Sequence, residues 1–92
     1  MNDNELDLLD SAIARIEGPP TAIVDATGEA LRPDRSPYRP TRDPQEALRL
    51  AEKYIARVVR LDRGWAAVGP GGRACTGPTL PVAVCIAIVE AQ

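Results

Sequence analysis

Prolines partition this chain before any other feature does. Pro33, Pro37, Pro40 and Pro44 all fall between residues 33 and 44, and Pro19-Pro20 follow directly on Gly18. Proline fixes φ and has no N–H to give a helix or a strand ladder, so no regular element is expected to run through residues 31–44. That segment reads as a long Pro/Arg-rich loop, and long loops in small domains are commonly either functional or mobile. Regular structure has to be built on either side of it.

On the N-terminal side, residues 2–17 read as a helix. Asn2 is a capping residue, and Glu5 stands three positions on as its capping-box partner. Leu6, Leu9, Ile13 and Ile16 recur at spacings of three and four, which makes one apolar stripe. Asp3, Glu5 and Asp7 occupy the first turns, where the helix dipole favours acids. Gly18-Pro19-Pro20 stops the helix, and Thr21–Asp25 reads as a short strand.

On the C-terminal side, Asp43-Pro44-Gln45-Glu46 is a helix start with a capping Asp and Pro at the first helical position. Ala47, Leu48, Ala51, Tyr54 and Ile55 are expected on its inner side, and the pattern turns strand-like after residues 54–56. Arg57–Leu61 and Trp65–Val68 flank Asp62-Arg63-Gly64 as a hairpin. Gly69-Pro70-Gly71-Gly72 turns again, and Arg73–Thr76 reads as a third strand. The tail, Val82–Val89, is open to two readings. Its β-branched residues favour a buried strand, while Thr79-Leu80-Pro81 ahead of it is a helix cap with an early proline. A helix here would be apolar nearly all round and would need cover on more than one side, which suggests a homo-oligomer.

Charge divides the chain as the prolines do. Residues 1–31 hold seven acids and one base, whereas residues 32–73 hold nine arginines and Lys53 against five acids. Such a head and middle attract each other within or between chains. The excess of Arg over Lys also fits the codon bias of a GC-rich genome. No apolar run approaches the ~18 residues that span a bilayer. The acidic start, Met1–Glu5, lacks the pattern of a secretion signal, so the expectation is a cytoplasmic protein without membrane contact. Cys75 and Cys85 are read as free buried thiols.

The residues offer little to a catalyst. There is no His. Ser11 and Ser36 have no evident base, and the cysteines lack the histidine of a thiol enzyme. The pairs Asp3/Asp7 and Asp7/Asp10 have helical spacing suited to Mg²⁺ with a phosphate, but a solvated, dipole-favoured helix start is the simpler reading. Gly69–Gly72 is followed by no Lys-Ser/Thr and opens no helix, so it is a turn rather than a phosphate loop. No catalytic residue, metal site or cofactor is therefore expected. The constellation with functional promise is basic and aromatic. Arg35, Tyr38, Arg39 and Arg42 lie on the loop, Arg63 and Trp65 at the hairpin, and Arg73 after the next turn. Arg forks bind phosphate and aromatic faces stack on bases. The alternative reading is that the arginines solvate a loop that Tyr38 anchors, with Trp65 in the core.

Pro37-Tyr38-Arg39-Pro40-Thr41-Arg42-Asp43-Pro44, Ala47, Gly64-Trp65 and Thr79-Leu80-Pro81-Val82-Ala83-Val84-Cys85 with Ala87 resemble the phage ABA sandwich domain, a family of small bacteriophage and prophage proteins without an established activity. The likeness covers residues 37–91 well and 5–18 weakly. The basic loop at 32–42 and Ile86, where many members look to carry Arg, depart from it. The resemblance implies a helical tail. The expected fold is then a single α+β domain over residues 1–92, a small antiparallel sheet of two to four strands packed by an N-terminal, a middle and a C-terminal helix. It also implies a phage accessory protein acting in the bacterial host cell. The expected function is a non-enzymatic sponge for a small phosphorylated ligand, such as a nucleotide immune signal. The alternatives are a protein-interaction module or inhibitor of a host protein, and a nucleic-acid-binding module. The net charge of -2 weighs against the last of these.

Overall fold

The acidic first turn and the Asn2/Glu5 pair do what their spacing predicts. In a computed structural model, which describes residues 1–92, α1 spans Asp3–Glu17. The Asn2 side chain accepts from the Glu5 N–H, and the Glu5 carboxylate accepts from the Asn2 N–H, a reciprocal capping box. Gly18, at φ 66°, ends the helix and donates back to the Ala14 carbonyl. The α+β chain then alternates short strands with two further helices. They are β1 (Ile23–Val24), β2 (Ala30–Leu31), a 3-10 turn (Pro40–Arg42), α2 (Pro44–Tyr54), β3 (Arg57–Leu61), β4 (Gly64–Val68), β5 (Ala74–Gly77) and α3 (Leu80–Glu90).

The structure resolves into two units, Met1–Arg39 and Pro40–Gln92. In the first, β1 and β2 pair antiparallel, with Ile23 opposite Leu31, and α1 packs against both. Ile13 and Ala14 are fully buried on the helix. Buried beside them are Asp10 and Ser11, so the face the helix turns inward is partly polar.

The segment 31–44, expected as a Pro/Arg-rich loop, carries short ordered pieces. Leu31 belongs to β2 and bridges to Pro37, and the Tyr38 N–H donates to the Ala30 carbonyl, so the chain folds back on the ribbon. Pro33 sits second in the turn closed by the Arg35 N–H on the Arg32 carbonyl, a position suited to proline. Pro40 opens the 3-10 turn and Pro44 opens α2. Prolines exclude long elements, but not short ones that begin with a proline or do not need its N–H.

In the second unit, β3, β4 and β5 form an antiparallel sheet in that order. Ala67 stands opposite both Val58 and Cys75. The Asp43 side chain caps α2 by accepting from the Gln45 and Glu46 N–H groups, and Thr79 caps α3 through the Val82 N–H. The tail is therefore a helix. Its apolar character all round matches its surroundings, because α3 packs on β4 and β5 and also on α2 and the 3-10 turn. Seven of its residues are buried, among them Val84, Cys85 and Ile88. Cover on several sides thus comes from within the unit, so α3 does not by itself call for a second chain. Gly77 lets the start of α3 approach the sheet. A Cβ there would stand 2.7 Å from the Ala83 nitrogen.

On α2 the inner face differs from the expected one. Ala47 and Leu50 are buried while Leu48 is 53% exposed. Residues 47, 50, 51 and 54 share one side of a helix, and position 48 lies about 100° away from 47. Cys85 is a buried free thiol as expected, whereas Cys75 is only half-buried.

Candidate functional site

α1 offers one side to the β1–β2 ribbon and, next to it, the wall of a cleft. The cleft has a volume of about 430 Å³ and lies wholly within the first unit. Three stretches line it. From α1 come Asn4, Asp7, Leu8, Asp10, Ser11 and Arg15. The connection between β1 and β2 supplies Thr27, Gly28, Glu29 and Ala30, and the returning chain supplies Tyr38 and Arg39. The α1 residues recur at spacings of three and four, the register that aligns side chains along one helical face.

The walls are tied together by short hydrogen bonds. The Ser11 hydroxyl donates to the Gly28 carbonyl at 2.7 Å, linking α1 to the ribbon connection. That connection is itself organised by Asp25, whose Oδ1 accepts from the Thr27 N–H, the Thr27 hydroxyl and the Glu29 N–H. These bonds, led by the one from the Thr27 hydroxyl, hold the Asp25 carboxyl below the usual carboxylate range. Asp34 is lowered in the same way, chiefly by the Ser36 hydroxyl and N–H, in the turn that returns the chain to the cleft. Arg35 takes φ 71° in that turn, a left-handed conformation that non-glycine residues seldom adopt.

The lining combines both charges and two degrees of burial. Asp10 at 2% exposure and Tyr38 at 1% form its floor, and Asp7, Arg15, Glu29 and Arg39 are exposed around it. The Arg32 guanidinium lies over the Tyr38 ring, 5.6 Å from its centroid, so one face of that ring is occupied.

Of the seven residues singled out in the sequence, Tyr38 and Arg39 line this cleft. Arg35 belongs to the exposed turn that leads into it. The other four lie in the second unit, and they do not assemble there. Arg42 ends the 3-10 turn, exposed. Arg63 is exposed in the turn before β4, and Arg73 follows the turn after it. The five residues of β4 set these two arginines about 16 Å or more apart. Trp65 is half-buried with the Arg60 guanidinium 5.9 Å from its ring centroid. Arg73 pairs with Glu90 at 3.4 Å and lines a smaller hollow beside Cys75 and Ala87.

Sequence reasoning missed the contribution of α1 and of the Thr27–Ala30 connection to the cleft. Asp7, Asp10 and Arg15 read as ordinary helix-surface residues, and nothing local marks a helix face as a cleft wall. Asp10 and Ser11 lie between the apolar positions Leu9 and Ile13, and polar residues in that place were the available signal. No group of three or more Cys, Asp or Glu is placed to hold a metal ion. No helix is long and apolar enough to cross a membrane. No protein-family model, curated protein or solved structure matches the chain.

Proposed function

We propose that this protein is a non-enzymatic binder that holds a small phosphorylated ligand in the cleft of its first unit. The observation that carries the proposal is the pair of guanidiniums, Arg15 and Arg39, on a cleft whose walls are fixed by the Ser11–Gly28 hydrogen bond. Guanidinium forks match phosphoryl oxygens in geometry and charge. Ser11, the serine within the cleft, directs its proton to a backbone carbonyl, and the chain has no His to take that proton. Binding without turnover is the use such a site supports. The likeness of residues 37–91 to phage ABA sandwich proteins extends the proposal to a phage accessory protein that sequesters a nucleotide immune signal in the bacterial host cell.

Thermal-shift and calorimetric titration with AMP, ADP-ribose and cyclic nucleotides tests this reading. A ligand present at about 100 times its Kd stabilises the folded protein by about 2.7 kcal/mol, a readily measured rise in Tm. Arg39→Ala should abolish that rise. Absence of a shift with every phosphorylated probe would overturn the proposal.

A second reading has its own observation. β3 is an edge strand, and Val58 and Leu61 on it are 41% and 42% exposed. An edge strand with exposed apolar residues suits strand addition by a host protein. Co-elution of one host protein at fixed stoichiometry, lost in Val58→Lys and accompanied by no small ligand, would favour it.

A further inference from the structure

We infer, from the reading of β3 as a site of strand addition, that this edge takes an extended acidic segment of a partner protein. In an antiparallel added strand the residue order that fits is apolar-acidic-apolar-apolar-acidic. The cleft has no part in it. Three observations carry the inference: which backbone groups the edge leaves open, how its apolar side chains are covered, and where its arginines stand.

β3 is joined to β4 by the turn Asp62-Arg63, with Leu61 opposite Gly64. The pair that closes such a hairpin exchanges hydrogen bonds, and hydrogen-bonded pairs then alternate along the ladder. Leu61, Val59 and Arg57 therefore turn their backbone groups to β4, while Val58 and Arg60 turn theirs to the open edge. β3 ends the strand order β3-β4-β5. Side chains alternate between the two faces of the sheet. Val58 and Arg60 share the face of their partners Ala67 and Trp65, and Arg57, Val59 and Leu61 share the other. α3 packs on β4 and β5, and Ala67 is fully buried, yet Val58 beside it is 41% exposed. Leu61 on the other face is 42% exposed. The apolar side chains of β3 thus lie past the cover that α3 gives, and apolar residues opposite Val58, Val59 and Leu61 would complete it.

Arg57 and Arg60 are exposed on β3, and Arg63 is exposed in the turn that follows. From Lys53 to Val89 the chain carries five cations and one acid, Asp62. The Arg60 guanidinium lies 5.9 Å from the Trp65 ring centroid, a contact that leaves N–H donors for a carboxylate, since a guanidinium carries five. Carboxylates opposite Arg57 and Arg60 would meet unlike charge on both faces of the sheet, whereas lysines there would meet like charge. The same arginines exclude a second copy as occupant. An antiparallel pair of β3 strands would bring Arg57 and Arg60 of both copies to one seam, and edge charges of this kind keep strands from pairing with themselves. The fitting residue order occurs once in the chain, as Leu6-Asp7-Leu8-Leu9-Asp10, and α1 holds it helical with Asp10 buried. A nucleic acid would meet the arginines but leave the backbone edge and its apolar side chains unused.

The experiment is fluorescence anisotropy of the full chain at low ionic strength with labelled peptides. One peptide carries Val-Glu-Val-Val-Glu, a second has lysine in place of both glutamates, and a single-stranded oligonucleotide forms a third arm. The glutamate peptide should bind tighter than the lysine peptide by about tenfold or more, and added salt should narrow the gap. It should also shift the amide signals of Val58 and Arg60 in NMR spectra, as backbone pairing at the edge requires. Arg57→Glu, which leaves the Trp65 contact in place, should reduce the preference, and Arg57→Glu/Arg60→Glu should invert it, with circular dichroism checking that each variant keeps its fold. Glutamate and lysine peptides binding alike, or a preference unmoved in the variants, would overturn the acidic selection while leaving strand addition at β3. Failure of both peptides to bind would overturn strand addition itself, and this inference with it. An oligonucleotide that binds tighter than the glutamate peptide would assign the arginines to nucleic acid and overturn the inference as well.

Discussion

The two units solve the problem of a small fold with different materials. Pro40–Gln92 is organised around an apolar helix. α3 buries seven residues against a three-stranded sheet, α2 and the 3-10 turn. Met1–Arg39 has strands of only two residues and buries Asp10 and Ser11 beside Ile13. It makes up the difference with side-chain hydrogen bonds: the Ser11 hydroxyl donates to the Gly28 carbonyl, and the Asp25 and Asp34 carboxylates accept from N–H groups of the turns around them. The contrast explains where the cleft is. Burial of apolar surface is non-directional and fills space. A framework held by directional polar bonds instead leaves a concave wall of polar groups in fixed orientation.

This contrast can be broken at its strongest point first. Val84→Asp places a carboxylate at the fully buried centre of α3, and should cost more than about 4 kcal/mol, enough to lose the second unit's cooperative unfolding transition. Retention of that transition in chemical denaturation would mean that α3 is not its organising element. Gly77→Ala should come next, at about 1–3 kcal/mol. The added methyl meets the Ala83 backbone, which cannot move aside without shifting α3.

The polar framework should respond more mildly and in a different observable. Ser11→Ala removes the bond to Gly28 and should lower stability by about 1 kcal/mol. Its larger effect should be on ligand affinity, because the two cleft walls lose their tie. A Ser11→Ala protein that binds AMP as the parent does would show that the tie is structural only. The smallest effect should be that of acid. Asp25 and Asp34 have lowered carboxyl pKa values in the fold, so their contribution is present above the ordinary carboxylate range and is lost as pH falls through the lowered values. Asp25→Ala should flatten the acid limb of the stability profile, read as the midpoint of acid unfolding. An unchanged limb would assign the acid response to other carboxylates.

Local signals in the sequence settled most of the element boundaries. Asn2 with Glu5, Asp43 with Pro44, and Thr79 ahead of Pro81 each start a helix where their capping chemistry requires one, and Gly18 ends α1. These are interactions between residues two to four positions apart, so sequence proximity is enough to read them. The Asp62-Arg63 turn set the β3–β4 register for the same reason.

What lay beyond the sequence depends on residues distant along the chain. Val82–Val89 is compatible with strand or helix in pattern alone, and only the cover supplied by β4, β5, α2 and the 3-10 turn makes an all-round apolar helix stable. Leu31–Pro37 looked irregular because the bridge that orders it joins residues on either side of a turn. The seven residues proposed from composition shared a chemistry but not a location. Tyr38 and Arg39 reached the cleft, while β4 holds Arg63 and Arg73 apart. The cleft itself brings together α1, the Thr27–Ala30 connection and Tyr38-Arg39, which the Ser11–Gly28 bond and the Ala30–Tyr38 pairing draw to one place. Capping and turn chemistry are short-range and legible residue by residue. A concave site is a property of surfaces meeting, and that was decided by the tertiary fold.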